Sequence, residues 1–184
     1  LDFAEKTEFE EVAYLLIHGK WPNVGELSAY KKRLVSMRGL PPALREVLEQ
    51  IPASAHPMDV MRTGCSLLGT LETEENVNDL DSARTIGDRL IASFGSMLVY
   101  WWQYAHYGKR ISIESDEDSI GGHLLHLLHG ERPSELLVRA MHTSLILYAE
   151  HEFNASTFAA RVTAGTLSDM HSAVTAAIGT LRGP

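Results

Sequence analysis

The sequence predicts an all-α protein, a bundle of about nine helices joined by short connections. Along most of its 184 residues, apolar side chains recur at the three- and four-residue spacing that places them on one face of a helix. Capping residues, prolines and glycines interrupt these runs at short intervals. Only residues 109–114 alternate between apolar and polar side chains as a strand would.

The composition fits one globular domain, or one domain and part of another. The formal net charge of −8 argues against nucleic acid as a partner, because phosphate-binding surfaces are basic. The single cysteine, Cys65, permits no intrachain disulfide and fits a buried position in a reducing compartment such as the cytoplasm. No apolar run reaches the roughly 18 residues of a membrane span, so no membrane partner is expected. Leu1 is not a start methionine and Pro184 follows turn residues, so we expect both ends to continue in a longer protein.

The first two helices are recognised by their ends and their amphipathic pattern. Thr7 and Glu10 have the spacing of a capping box, and Gly19 would close a helix of about three turns. Glu26–Arg38 has the pattern of a second helix. Its basic residues 31–33 fit a solvated helix face better than an anion site.

Prolines open the third and fourth helices, because proline suits the first turn of a helix. The third is predicted from Pro42 to Ile51, and the fourth begins at Pro57. Small residues in the fourth helix, Gly64 and Gly69 among them, predict close contact with another helix.

A long fifth helix is predicted from Asp81 or Ser82 to about His106, after an acidic loop. Its later part, Leu98–Trp102, is apolar on nearly all sides. Such a helix is buried in a protein or lies in an interface, and we expect a subunit interface in a chain of this size.

The sixth helix is rich in histidine. Residues 115–119 are acidic and fit its cap better than a calcium loop. Consecutive residues of the set His123, His126 and His129 are three positions apart, so the three side chains do not share one face of the helix. His123 and His126 have the spacing of a metal-binding pair. No third potential ligand lies at a sequence spacing typical of a metal site, so no metal site is predicted.

Three further helices are predicted, over Ser134–Tyr148, Ser156–Gly165 and Met170–Leu181. The joint between the first two, Glu150–Asn154, is unusually polar and carries His151. A zinc-protease H-E-x-x-H motif is excluded there, because its last position is alanine. The chain has no P-loop, dinucleotide-binding or nucleophile-elbow motif.

His151 and His123 are the candidates for chemistry. Antiparallel packing of the helices between them would bring both to one end of the bundle. Two imidazoles without a metal suit polarisation of a carbonyl oxygen, whose developing negative charge a placed N–H stabilises. A solvated histidine in a polar loop is the alternative for His151, and residue spacing alone does not decide between them.

The residues around His151 resemble a known family. The segment A-E-H-E-F-N-A-S-T-F is similar to the catalytic-histidine motif of citrate synthases, in the form of the bacterial 2-methylcitrate synthases of that family. Four more segments resemble further family blocks: Phe9–Pro22 (F-E-E-V-A-Y-L-L-I-H-G-K-W-P), His56–Gly64 (H-P-M-D-V-M-R-T-G), Asp118–Gly130 (D-S-I-G-G-H-L-L-H-L-L-H-G) and Gly179–Pro184 (G-T-L-R-G-P). The resemblance covers essentially the whole chain.

The resemblance implies the citrate synthase fold, an all-α homodimer with a large domain and a smaller mobile domain in each subunit. The chain would hold most of the large domain, residues 1–150, and the first helices of the small domain, residues 151–184. The long fifth helix would then lie in the dimer core.

The resemblance also implies roles for two histidines. His151 matches the catalytic histidine that hydrogen-bonds the thioester carbonyl as the substrate becomes an enol, and His123 matches a histidine that helps to bind oxaloacetate. Acyl-CoA and oxaloacetate would be substrates, and no cofactor is implied. The family's catalytic aspartate and second catalytic histidine follow the last matching block, beyond Pro184, so we expect this chain alone to be inactive.

The implied reaction is the condensation of propionyl-CoA with oxaloacetate to give 2-methylcitrate and CoA. Ordinary citrate synthase, which uses acetyl-CoA, is the nearest alternative, because bacterial paralogues share this form of the motif. A helical dimerisation module without catalysis is the alternative from another class.

Overall fold

The computed structural model describes residue 4, residues 6–150 and residues 153–183. Within these residues the chain forms nine α-helices and no strand, which confirms the all-α prediction. The helices are α1 (Phe9–His18), α2 (Val24–Ser36), α3 (Pro42–Gln50), α4 (Pro57–Leu71), α5 (Leu80–Tyr107), α6 (Ile120–His129), α7 (Glu135–Tyr148), α8 (Ala155–Gly165) and α9 (Met170–Leu181). No helix in this described part is long and apolar enough to cross a membrane.

The start of α1 differs by one residue from the prediction. The capping box consists of Glu8 and Glu11, and the predicted pair of Thr7 and Glu10 is wrong. Glu10 lies on the inner side of the helix and is fully buried. A carboxylate expected to cap a helix at the surface is therefore a core residue.

Side-chain caps also set the starts of later helices. α2 begins two residues before the predicted position because the Asn23 side chain accepts a hydrogen bond from the Glu26 backbone N–H at 2.9 Å. α5 begins at Leu80 because Asp79 is its cap, and neither Asp81 nor Ser82 has that role.

The core forms around the second half of α5, which packs against α3, α4 and α6. Val99, Tyr100 and Trp101 are buried there, and the Trp101 indole N–H donates to the Ile51 carbonyl oxygen at 3.1 Å. Burial within the chain therefore explains the apolar end of α5. A subunit interface at this helix stays a prediction.

α4 lies against both α5 and α9, and its glycines allow a close approach. A Cβ at Gly64 would lie 2.9 Å from Met97 Sδ, and one at Gly69 would lie 2.6 Å from His171 Cβ. The predicted close helix contact is therefore confirmed. Cys65 is fully buried, as expected of a small apolar residue, and burial raises the pKa of its thiol.

Residues 109–114 form no strand, so that prediction is wrong. A strand needs a partner for its backbone hydrogen bonds, and the described part of the chain contains no second strand. The alternation reflects one-sided burial, because Ile113 packs on the core while Glu114 is exposed. The segment leads to Ser119, the N-cap of α6.

Candidate active site

The start of α6 is held by two side chains that accept hydrogen bonds from its free backbone N–H groups. The Ser119 hydroxyl accepts from the Gly122 N–H at 3.0 Å, and Glu10 Oε1 accepts from the Ile120 N–H at 2.6 Å. The second bond ties α6 to α1 across the core. These caps fix the first turn of the helix that carries His123.

His123 lies inside the protein with both ring nitrogens paired to serine hydroxyls. Only 1% of the residue is exposed. Its Nε2 lies 3.0 Å from the Ser96 hydroxyl, and its Nδ1 lies 2.8 Å from the Ser115 hydroxyl. A neutral imidazole has one donor and one acceptor nitrogen, so one serine accepts from the ring and the other donates to it.

The surroundings of His123 keep its ring neutral. Burial, and then the positive charge of Arg38 and the proximity of His126, lower the pKa of His123 to about 3. The imidazole therefore carries no charge at neutral pH. A neutral ring can donate one N–H to a carbonyl or carboxylate oxygen while the imidazole itself stays uncharged.

The two serine partners of His123 differ in burial. Ser96 is fully buried in α5, whereas Ser115 is half-buried and belongs to the extended segment before α6. Ser115 lines a cavity of ≈ 270 Å³ together with Arg38 and Arg45. Access to Nδ1 therefore requires that the Ser115 hydroxyl move away from the ring.

The packing of α6 and α7 places His123 relative to the end of α7. A Cβ on Gly121 would lie 2.7 Å from Met141 Cγ and 3.8 Å from Leu145 Cδ1, so the beginning of α6 lies beside the second half of α7. The two helices are therefore antiparallel neighbours. His123 is therefore at the end of this pair where α7 finishes. That His151 joins it there stays a prediction.

His151 lies outside the described residues. α7 ends at Tyr148 before it, and Asn154 follows it as the N-cap of α8, with a side chain that accepts from the Thr157 N–H at 2.7 Å. Capping therefore accounts for the polar character of Asn154. Phe153, next to the cap, has a positive φ of 26° and is 93% exposed.

Sequence reasoning missed the serine partners of His123. Ser96 lies 27 residues before His123 and Ser115 lies eight before it, so no local motif joins the three. One signal was present, because Ser93 and Ser96 are polar residues one turn apart within the otherwise apolar stretch 90–102 of α5. A polar residue on a buried helix face predicts a buried partner.

The family model described as "Citrate synthase, C-terminal domain" matches residues 1–184 of this chain. The match covers every segment that holds the site described above. The chain therefore belongs to the citrate synthase family.

Two named relatives differ in how similar they are to this chain. The 2-methylcitrate synthase of Shewanella oneidensis is 61% identical over 183 residues, covering 100% of this chain and 48% of the relative. The citrate synthase of Mycolicibacterium smegmatis is 38% identical over 182 residues, covering 99% of this chain and 48% of that protein. The chain thus spans about half the length of the curated relatives it matches.

Solved structures have the same fold. Citrate synthase from Thermotoga maritima has a TM-score of 0.83 and 31% identity, with 100% of this chain and 47% of that chain covered. A ternary complex of the Thermoplasma acidophilum citrate synthase with carboxymethyl coenzyme A and oxaloacetate has a TM-score of 0.87 and 28% identity. That comparison covers 97% of this chain and 46% of the other.

Proposed function

We propose that this chain is part of a 2-methylcitrate synthase, which condenses propionyl-CoA with oxaloacetate and releases 2-methylcitrate and CoA. The observation that carries the proposal is the 61% identity, over the whole chain, to the Shewanella oneidensis protein of that name. Ordinary citrate synthase is the second candidate, supported by 38% identity to the Mycolicibacterium smegmatis enzyme.

In the proposed reaction, a base removes an α-proton from the thioester while a donor stabilises the oxygen that becomes an enolate. The enolate carbon then attacks the keto carbon of oxaloacetate, and water cleaves the thioester to release CoA. A thioester α-proton is weakly acidic, so base and donor must act on the same bound substrate. His151 is the proposed donor, by its match to the family motif.

His123 is the proposed oxaloacetate ligand. Its neutral ring, held by the Ser96 hydroxyl at 3.0 Å, offers a hydrogen bond to a substrate oxygen once Ser115 withdraws from Nδ1. A ring fixed by packing and by a buried hydroxyl loses little freedom when a substrate binds. This preorganisation supports a binding role.

The proposal extends to the whole protein. It would be a cytoplasmic homodimer without a cofactor, in which α5 lies in the dimer core and the small domain begins near His151. The proton-abstracting base and the remaining substrate ligands would come from the part of the protein not in this chain. We therefore expect the 184-residue chain alone to release no thiol from propionyl-CoA or acetyl-CoA with oxaloacetate.

The acyl preference is tested by comparing kcat/KM for propionyl-CoA and acetyl-CoA with the complete protein. We expect propionyl-CoA to be the better substrate. A preference for acetyl-CoA would assign the protein to ordinary citrate synthases.

The catalytic role of His151 is tested in the same protein with His151→Ala. Loss of a donor that acts in the transition state should lower kcat far more than it raises KM. His129→Ala, at an exposed position near the end of α6, is the control and should leave both constants unchanged. Absence of thiol release by the complete wild-type protein with either acyl-CoA would favour the non-catalytic dimerisation module.

A further inference from the structure

We propose that Glu8, Glu10 and His142 form a binding site for a divalent transition-metal ion such as Zn²⁺, where α1 meets α6 and α7. One ligand atom from each residue lies within 4.8 Å of the other two. The site is separate from the proposed condensation chemistry, and neither the family match nor the two histidine motifs predict it.

Glu10 supplies the observation that points to a ligand. The residue has 0% exposure, and its Oε1 accepts the hydrogen bond from the Ile120 N–H. Its other oxygen, Oε2, is buried and has no hydrogen-bond partner. An unpaired buried carboxylate oxygen is costly, so this atom requires a positive partner or a proton.

His142 faces this oxygen without offering it a proton. The Phe9 backbone N–H donates to His142 Nδ1 at 3.0 Å, so Nδ1 is the unprotonated acceptor nitrogen of the ring. Glu10 Oε2 lies 3.6 Å from the same atom. Two acceptors thus face each other with no donor between them. A bound cation would relieve this arrangement, with the metal replacing the Phe9 N–H at Nδ1.

The remaining charges determine how strongly a cation can bind. Lys31 Nζ lies 2.7 Å from Glu8 Oε2 and also 2.7 Å from Asp118 Oδ2. It therefore competes with a bound metal for one oxygen of Glu8. If the metal displaced it from Glu8, Lys31 would keep its ion pair with Asp118. Burial raises the pKa of Glu10, so a proton is the other competitor of the metal. Arg139 is nearby, but its guanidinium donates to the backbone oxygens of Ala4 and Thr7.

The site borders a cavity and has ligands that suit zinc. Glu8 and His142 both line a cavity of ≈ 500 Å³, through which an ion and coordinating water can enter. Two carboxylates and one imidazole are ligands that Zn²⁺ accepts, and the fourth position would be a water. Because Glu10 also caps α6, a bound ion would fasten α1 to the helix that carries His123.

The test uses the complete protein after chelation and dialysis, titrated with ZnCl₂ by calorimetry and with Co²⁺ by visible absorption. We expect one site per chain that Glu10→Gln and His142→Gln each weaken by at least about tenfold. Glu8→Gln should also weaken it, and this residue is not in the core, so the variant keeps the test valid if the buried variants do not fold. Glu46→Gln and His129→Gln change the same residue types at exposed positions and should bind as wild type does.

The stability of the protein gives a second measurement. Zinc should raise the thermal midpoint of the wild type with increasing concentration and leave that of Glu8→Gln nearly unchanged. Equal zinc binding by wild type and all three site variants would overturn the proposal. So would the absence of both calorimetric heat and a cobalt spectrum, which would mean that a proton alone occupies the space between Glu10 and His142.

Discussion

Replacing Ser96 with alanine should destabilise the protein through the histidine that the serine holds. Ser96 and His123 are 0% and 1% exposed, and the hydroxyl lies 3.0 Å from Nε2. The substitution leaves a buried ring nitrogen without a partner. The expected loss in the free energy of unfolding is about 1–3 kcal/mol, the usual cost of stranding one buried polar atom.

Ser93→Ala is the matched control. Ser93 lies one turn earlier in α5 and is equally buried, but its hydroxyl makes only a 3.5 Å contact with the Leu90 carbonyl oxygen. Removing it deletes the same atom without stranding an imidazole. The expected change is below about 0.5 kcal/mol.

The assay is urea-induced unfolding of the complete protein at one fixed protein concentration, because oligomers change apparent stability with concentration. Ser96→Ala should also raise the KM for oxaloacetate, since it frees the ring to turn. In a His123→Phe background, Ser96→Ala should cost no more than Ser93→Ala does. A difference of less than about 0.5 kcal/mol between the two serine variants in the wild type would refute the reasoning.

Two further predictions concern packing and protonation. Gly69→Ala should lower the free energy of unfolding by about 1–2 kcal/mol, because a Cβ there would lie 2.6 Å from His171 Cβ and this overpacking outweighs the gain in helix propensity. Gly165→Ala in α8 is the control in the same unfolding assay. A Cβ at Gly165 would have no neighbouring atom within 4 Å, so this variant should have no such cost. The pKa of His123 is lowered to about 3, so the contribution of its neutral ring to stability should be fully present above pH 6.5 and be lost progressively as the pH drops from there toward 3. Between pH 8 and pH 5 the loss should be about 2 kcal/mol, and it should be smaller in His123→Phe; an unchanged pH dependence in that variant would contradict the assignment.

The sequence predicted the helices well because their signals are local. Ser119, Asn154 and Asp169 each stand directly before an apolar periodic run, and each caps a helix with its own side chain. Each accepts a hydrogen bond from the backbone N–H three positions later. Such features need no knowledge of tertiary contacts.

The error at the start of α1 arose because a distant contact decided the role of a residue. Thr7, Glu8, Glu10 and Glu11 offer two overlapping capping boxes of the same length, and local spacing does not choose between them. The choice follows from a partner 110 residues later, the Ile120 N–H that Glu10 accepts in the core. The family resemblance suggested a substrate-binding role for His123, which residue spacing alone could not do. It gave no hint of the serines around the ring.

Several buried polar residues meet at the start of α6, and their arrangement bears on the proposed binding of substrate. Arg38 donates to the Glu117 and Ser119 carbonyl oxygens at 2.5 and 3.0 Å, which fixes the segment that enters the helix. The same guanidinium helps to keep His123 neutral. A charged imidazole here would have to be desolvated beside another cation, whereas a neutral ring needs only two hydroxyl partners. These contacts therefore hold a neutral, oriented imidazole at His123. Under the proposed function, substrate binding would need only to exchange one hydrogen bond at Nδ1 for another.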